Sequence, residues 1–161
     1  MEKIYIIAID DQPEVLQAVS KDLEFFEGAF HIEECESADE AYRVMDAILE
    51  KGNYVALILS DHVMPYKTGI QFLIELRNDA RFADTRKVLL TALATHHDTI
   101  EAINKAAIHG YIEKPWKPEE LAQLVRKQIT AFILAKGIEY QPYIPYLDST
   151  TLFTALRTQT E

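Results

Sequence analysis

Four short apolar runs in this sequence lead into polar side chains that can take part in chemistry. These side chains are three carboxylates, a hydroxyl and an amine: Asp10 and Asp11, Asp61, Thr91, and Lys114. Three carboxylates held close together repel one another unless a cation joins them. Because carboxylate oxygens are hard ligands, the cation that suits such a cluster is Mg²⁺. The residue types therefore predict a magnesium site that phosphate can share.

Asp61 is the candidate nucleophile of this group. A carboxylate can carry a phosphoryl group as an acyl phosphate. A metal and an amine would neutralise the charge on the phosphoryl oxygens, and Lys114 supplies the amine. A cis bond between Lys114 and Pro115 would turn the lysine into the site. Only X-Pro bonds adopt cis at a tolerable cost, roughly 0.5–1 kcal/mol.

The elements that must position these side chains alternate between strand and helix five times. Strands that are apolar throughout and alternate with helices predict an α/β fold, in which helices cover both faces of a parallel sheet. We predict a flavodoxin-like, doubly wound, five-stranded sheet of order 2-1-3-4-5. This order sets strands 1 and 3 side by side, so that Asp10, Asp11 and Asp61 meet at the carboxyl end of the sheet.

Hydrophobic periodicity, caps and breakers place the boundaries of these elements. Strands are predicted over residues 3–9, 30–32, 55–60, 87–91 and 110–112. Helices are predicted from Pro13 to before Gly28, from Ser37 to before Lys51, around 72–76, over about 98–107, and from Pro118 to about Ile133. Ser37 and Glu40 form a predicted capping box. The fourth helix has a modest apolar face, formed by Ile100, Ile103 and Ala107.

The character of the sequence changes after residue 136, so we predict a domain over 1–136 and a C-terminal extension over 137–161. The extension begins with a stretch rich in tyrosine and proline, which predicts an extended segment. Asp148 or Ser149 can then cap a short helix. The apolar residues of that helix are Leu152, Phe153 and Leu156. Because the extension is too apolar for a free linker, we expect it to fold back, to pair with another chain or to begin a longer protein.

The composition bounds the class of the protein. Its 161 residues suit one domain, and 48% hydrophobic and 26% charged residues are ordinary for a globular chain. A net charge of −10 predicts no direct nucleic-acid binding, because acidic surfaces repel phosphate backbones. The single cysteine, Cys35, suits a reducing compartment. With no apolar run of 18 residues and no visible signal peptide, we expect a cytoplasmic protein without a membrane span.

The ordered set of motifs resembles the receiver domains of two-component response regulators, the family that includes the chemotaxis response regulator. The resemblance covers about residues 3–135. It rests on residues in the expected order and on the expected elements: Asp10-Asp11, Asp61 with Met64-Pro65, Thr91-Ala92, Tyr111 and Lys114-Pro115. Each motif alone is weak, whereas the ordered set is highly specific.

This resemblance implies roles for the acidic residues. Asp61 would accept a phosphoryl group from a histidine kinase or a phosphotransfer protein, in a reaction that depends on Mg²⁺. Asp11, Asp61 and the backbone carbonyl of Val63 would bind the metal directly. Asp10 would help through water.

The resemblance also implies a conformational switch. Thr91 would donate to the phosphoryl group and draw its loop inward, while Lys114 would bridge to the phosphoryl oxygens. Tyr111 would swing from exposed to buried as Thr91 moves. The output would be a partner protein, or a homodimer formed through the fourth helix, the fifth strand and the fifth helix or through the C-terminal extension.

Two positions depart from the usual pattern of the family. Residues 66–69 read Tyr-Lys-Thr-Gly where Met-Asp-Gly is more common, and Thr68 can replace the missing aspartate as a helix cap. Val63 is apolar where many relatives are polar. Because its side chain faces the route of the phosphate, we expect Val63 to affect the lifetime of the phosphoryl group.

Three other classes of function fit parts of the sequence. An aspartyl-phosphate phosphatase or transferase shares the nucleophile and the metal site, but usually has a second carboxylate two residues later, where Val63 stands. A degenerate receiver, acting as a constitutive docking module, would lack site residues that are present here. A flavodoxin-like electron carrier needs a loop rich in Ser, Thr and Gly after strand 1. The chain is therefore predicted to be a signalling domain and not an enzyme.

Overall fold

A computed structural model describes residues 1–92 and 96–160 of the chain. Within these residues, five strands form one parallel sheet in the order β2-β1-β3-β4-β5. The strands are β1 (Ile4–Ile9), β2 (His31–Cys35), β3 (Tyr54–Ser60), β4 (Arg86–Thr91) and β5 (Gly110–Glu113). The predicted fold class and strand order are thereby confirmed. The carboxyl ends of β1 and β3 are neighbours, since Ile9 pairs with Ser60.

Helices cover both faces of this sheet. The described residues form α1 (Pro13–Asp22), α2 (Ala38–Glu50), α3 (Gly69–Arg77), α4 (His96–Glu101), α5 (Pro118–Lys136) and α6 (Ser149–Thr160). One apolar cluster contains Ile6 and residues of α1 and α5, and the other contains Ile7 and residues of α2 and α3. This division follows from the strand geometry, because successive side chains point to opposite faces. No helix in the described ranges is long and apolar enough to cross a membrane.

The predicted first helix consists of two elements. The α-helix ends at Asp22, and a 3₁₀ helix follows over Glu24–Gly28. Phe26 N–H donates to the carbonyl of Leu23 at 2.9 Å, which is the shorter spacing of a 3₁₀ turn. Leu23 and Phe26 are both buried. The apolar periodicity therefore continued beyond the true end of the α-helix.

The region of the fourth helix also differs from the prediction. After α4, residues Ala102–Ala106 form a π-helical turn, to which Arg77 donates hydrogen bonds at the carbonyls of Asn104 and Lys105, both at 3.0 Å. Ile100, on the predicted apolar face, is exposed, and the side chain of Ile103 lies outside the described residues. Hydrophobic periodicity cannot distinguish an α-helical turn from a π-helical turn, because the two differ in which backbone carbonyl each N–H contacts.

The helix caps predicted at Ser37 and Thr68 both form, and only the reciprocal bond of the Ser37 capping box differs from the prediction. Thr68 caps α3 in a complete capping box with Gln71, which confirms its predicted role. Ser37 Oγ accepts from Glu40 N–H at 3.1 Å. The Glu40 carboxylate accepts instead from Glu36 N–H, at 2.9 Å. The reciprocal bond thus shifts by one residue, to another free N–H before the helix.

The C-terminal extension folds back on the domain and is not extended. Residues Gln141–Tyr146 form a 3₁₀ helix, in which Tyr143 N–H donates to the carbonyl of Tyr140 at 2.9 Å. A proline is compatible with the first turn of a helix because its missing N–H is not needed there. Asp148 caps α6, since its carboxylate accepts from Thr151 N–H at 3.0 Å.

Candidate functional site

The acidic residues that follow β1 and β3 lie side by side. Asp10 N–H donates to the carbonyl of Cys35 at 3.0 Å, and Asp61 N–H donates to that of Ile9 at 2.9 Å, so the sheet fixes both backbones. Asp10 and Asp61 are buried, whereas Asp11 is exposed. Carboxylate oxygens of the three aspartates lie within 4.8 Å of one another. The predicted acidic cluster is therefore formed.

Lys114 joins the two buried carboxylates. Its Nζ lies 2.6 Å from Asp10 Oδ2 and 3.3 Å from Asp61 Oδ1. The Lys114–Pro115 bond is cis, and Lys114 N–H donates to the carbonyl of Thr91 at 3.1 Å. The lysine thus reaches the cluster from the end of β5, which is held to the end of β4. Its ammonium group opposes the repulsion between the carboxylates.

The electrostatics of Asp61 depend on these neighbours. Burial raises the pKa of Asp61 above its ordinary value, Lys114 opposes this shift, and the charge of Asp10 adds to it. Three carboxylates and one ammonium leave a formal charge of −2 when all are ionised. A divalent cation would balance this charge and favour the ionised, nucleophilic form of Asp61.

The cluster opens into a cavity of about 290 Å³. The residues that line this cavity are Asp11, Gln12, Asp61, Val63, Thr91, Ala92 and Lys114. Asp61 is 6% exposed, and Val63 is 52% exposed. Tyr111 lies beside the second apolar cluster, half-buried, and burial raises its pKa. Most of the predicted site residues therefore line one cavity. Asp10 does not line this cavity, but it contacts Lys114, which does. Tyr111 lies outside the lining.

Two residues that support Asp61 were missed by the sequence patterns. The Ser60 hydroxyl donates to the carbonyl of Asp61 at 2.9 Å. A Cβ on Gly69 would lie 2.9 Å from the carbonyl carbon of Asp61 and would overlap its oxygen. The one available signal was the glycine at the start of α3. Its importance comes from the close approach of two backbone segments, which hydrophobic periodicity does not report.

The sequence matches one protein family and several of its characterised members. The model of the response regulator receiver domain matches residues 6–126. Response regulator Rre1 of Synechocystis sp. is 35% identical over 125 residues, which are 78% of this chain and 51% of that protein. The hydrogenase transcriptional regulatory protein HoxA of Cupriavidus necator is 32% identical over 126 residues, 78% of this chain and 24% of that protein. This chain thus spans about half of the length of the first relative and about a quarter of the length of the second.

Solved structures share the fold. The signal receiver domain of an HD domain-containing protein from Pseudomonas fluorescens aligns with a TM-score of 0.73 at 22% identity, over 86% of this chain and 96% of that one. Chemotaxis protein CheY4 of Vibrio cholerae aligns with a TM-score of 0.64 at 25% identity, over 76% and 96%. The family match covers most of the chain, and the structure shows a five-stranded sheet of order 2-1-3-4-5. The chain therefore belongs to the response regulator receiver domains of two-component signalling.

Proposed function

We propose that Asp61 accepts a phosphoryl group from a phosphohistidine of a histidine kinase or a phosphotransfer protein. The observation that carries this proposal is the buried Asp61 carboxylate, 3.3 Å from Lys114 Nζ, at a cavity large enough for a phosphoryl group. A carboxylate oxygen forms a bond to phosphorus while the bond from phosphorus to the histidine nitrogen breaks. The imidazole nitrogen keeps the electron pair and takes up a proton from water.

Mg²⁺ is the proposed cofactor of this site. The hard oxygens of the acidic cluster and its formal charge of −2 fit a small divalent cation. Asp11, Asp61 and the backbone carbonyl of Val63 would hold the metal, and Asp10 would contribute through water. When bound, Mg²⁺ supplies positive charge beside the phosphoryl oxygens.

Lys114 and Thr91 are the proposed phosphoryl-stabilising residues. Lys114 contributes its ammonium group to the phosphoryl oxygens, and Thr91 contributes its hydroxyl. Thr91 pairs with Glu113 across β4 and β5, and its carbonyl accepts from Lys114 N–H. Movement of Thr91 would therefore act on β5, which carries Tyr111. The proposed switch is a shift between two loop arrangements, with Thr91 and Tyr111 as its moving side chains.

Residues 1–136 are the proposed receiver domain and residues 137–161 the proposed extension, which contributes Tyr143 and Leu147 to the first apolar cluster. The proposed output is control of a partner protein, or dimerisation through α4, β5 and α5 or through the extension. The chain would turn over no separate substrate, and would catalyse only its own phosphorylation and dephosphorylation. In support, an apolar side chain, Val63, stands where aspartyl-phosphate phosphatases usually carry a second carboxylate.

Acetyl phosphate tests this proposal directly. With Mg²⁺, we expect a phosphoryl adduct by intact mass and a change in the fluorescence of Trp116, the single tryptophan. Asp61→Asn should lose both responses, and Asp39→Asn, which removes an exposed carboxylate, should keep them. An adduct that survives in Asp61→Asn would refute the assignment of the acceptor. No adduct in the wild type would favour the docking-module alternative. Sizing chromatography with beryllofluoride would report dimerisation.

A further inference from the structure

The loop between β3 and α3 presents Tyr66 to solvent in a strained conformation. The ring is fully exposed, and the backbone φ of this residue is 71°. Lys67 N–H donates to the carbonyl of Pro65 at 2.8 Å, which makes Tyr66 the centre of a three-residue γ-turn. Positive φ is unfavourable for a residue with a Cβ. Because the ring buries no area in return, packing within the chain does not explain this tyrosine.

The surroundings of Tyr66 are held in place on its C-terminal side. Gly69 N–H donates to the carbonyl of His62 at 2.9 Å and closes the loop. Lys67 Nζ forms an ion pair with Glu75 of α3 at 2.8 Å. Tyr66 is therefore a projecting ring on a constrained turn. The backbone that presents the ring is thus constrained before a partner binds, so that mainly the side-chain torsions remain to be ordered when a partner covers it.

The same loop forms part of the wall of the phosphorylation cavity. Val63, three residues before Tyr66, lines the cavity with its exposed side chain, while the Asp61 carboxylate lies almost fully buried. A donor histidine that reaches Asp61 must carry its own protein surface up to this rim. Val63 and Tyr66 are the exposed large apolar side chains that the described residues of this loop offer to that surface.

We propose that Tyr66 determines specificity for the protein that donates the phosphoryl group. Its ring, with Val63, packs against apolar side chains around the donor's phosphohistidine. Tyrosine suits this contact because its large, rigid ring offers an apolar face to the donor. The inference rests on the proposed function, since it requires transfer to Asp61. A small donor such as acetyl phosphate has no such surface and does not use Tyr66.

Two donors and three variants test this inference. The small donor is acetyl phosphate. The protein donor is the phosphorylated cytoplasmic portion of a histidine kinase, chosen from a panel as the one that transfers fastest to the wild-type chain. Tyr66→Gly removes the ring and tolerates positive φ, and Tyr66→Phe keeps the ring. Phe153→Ala is the matched control, because it removes an exposed aromatic ring from α6.

In Tyr66→Gly, we expect transfer from the kinase to slow by roughly tenfold or more. Labelling by acetyl phosphate should be unchanged and the melting temperature should not fall. Tyr66→Phe and Phe153→Ala should both transfer like the wild type. This pattern separates a contact with the donor from damage to the loop, which would slow both donors together.

Unchanged transfer from the kinase in Tyr66→Gly would overturn the inference and leave the proposed function intact. Equal slowing with acetyl phosphate would also overturn it, because the effect would then lie at Asp61. Loss of a beryllofluoride-induced dimer with normal transfer would assign Tyr66 to a second copy of this chain instead. If no kinase labels a wild-type chain that acetyl phosphate does label, a protein donor is the wrong occupant. If neither donor labels Asp61, the proposed function itself fails.

Discussion

At the scale of single residues, His109 is held as a neutral imidazole among cations. Its Nδ1 accepts a hydrogen bond from the Lys87 backbone N–H at 3.0 Å. Burial lowers the pKa of His109 to about 4, and the charges of Arg86 and Lys87 add to this shift. Lys87 is itself buried, with its ammonium group donating to the carbonyls of Phe82 and Thr85. A proton on Nδ1 would convert the acceptor into a donor facing an N–H group.

His109 should therefore make the folded state less stable in acid. Between pH 6.5 and about 4, the unfolded chain binds a proton that the folded imidazole does not. The stability that the neutral ring contributes is complete above this window and is lost as the pH falls through it. His109→Asn keeps an acceptor oxygen without this titration, so its free energy of unfolding in urea should fall less across the window. His97→Asn, at an exposed ring, is the control. A wild-type pH profile in His109→Asn would contradict this account.

At the scale of elements, α3 begins where its backbone touches the proposed phosphorylation site. The capping box of Thr68 and Gln71 sets the first turn, and Gly69 lies against the carbonyl of Asp61. Any side chain at Gly69 would push the helix away from β3. The position of Asp61 is thus defined by the element that follows it as well as by its own strand.

Gly69→Ala should consequently affect both stability and chemistry. Overlap of the new methyl group with the Asp61 carbonyl should lower the free energy of unfolding by about 1–3 kcal/mol. Displacement of Asp61 should slow labelling by acetyl phosphate about tenfold or more. Gly52→Ala separates the two effects, because Gly52 has a φ of 78° with open space around it. That variant should lose about 1–2 kcal/mol from backbone strain and keep its labelling rate. Normal labelling of Gly69→Ala would show that the loop adapts.

At the scale of the whole molecule, the C-terminal extension completes the core on the side of α1 and α5. Tyr143 stacks on Phe30 with ring centres 5.4 Å apart, and Tyr146 lies 5.0 Å from the ring of Phe25. The Arg126 guanidinium lies over Phe25 and donates to the carbonyl of Pro145 at 3.0 Å. The extension thus covers Phe30, which is buried, and packs against one side of Phe25, which stays partly exposed.

Tyr143→Ala measures how much the extension stabilises the domain. Tyr143 is 7% exposed and its neighbour Ile144 is 50% exposed. Loss of the buried ring should lower the free energy of unfolding by about 3 kcal/mol. Ile144→Ala should change it by less than about 0.5 kcal/mol. Neither variant should slow labelling of folded protein by acetyl phosphate, since residues 137–160, the part of the extension that the structure describes, line no part of the cavity. Equal stability of the two variants would mean that the extension is only loosely attached.

The sequence by itself determined the α/β class, the strand order and the ends of strands where Asp10, Asp11, Asp61 and Lys114 lie. These features could be predicted because hydrophobic periodicity and right-handed crossovers leave few topologies for five alternating units. The boundaries of the helices were harder to predict from the sequence. The 3₁₀ turns at 24–28 and 141–146 and the π turn at 102–106 depend on which carbonyl each N–H meets, and periodicity carries no such information.

Only the tertiary structure decided the geometry within the site. Lys114 lies closer to Asp10 than to Asp61, and Gly69 touches the Asp61 carbonyl. It also decided that Tyr66 projects outward and that the extension folds back on Phe30. Three of these features are contacts between segments that are distant in the chain. The exposure of Tyr66 depends on the conformation of its loop. Local propensity governs neighbours along the sequence, whereas such approaches are fixed only when the sheet, helices and loops pack together.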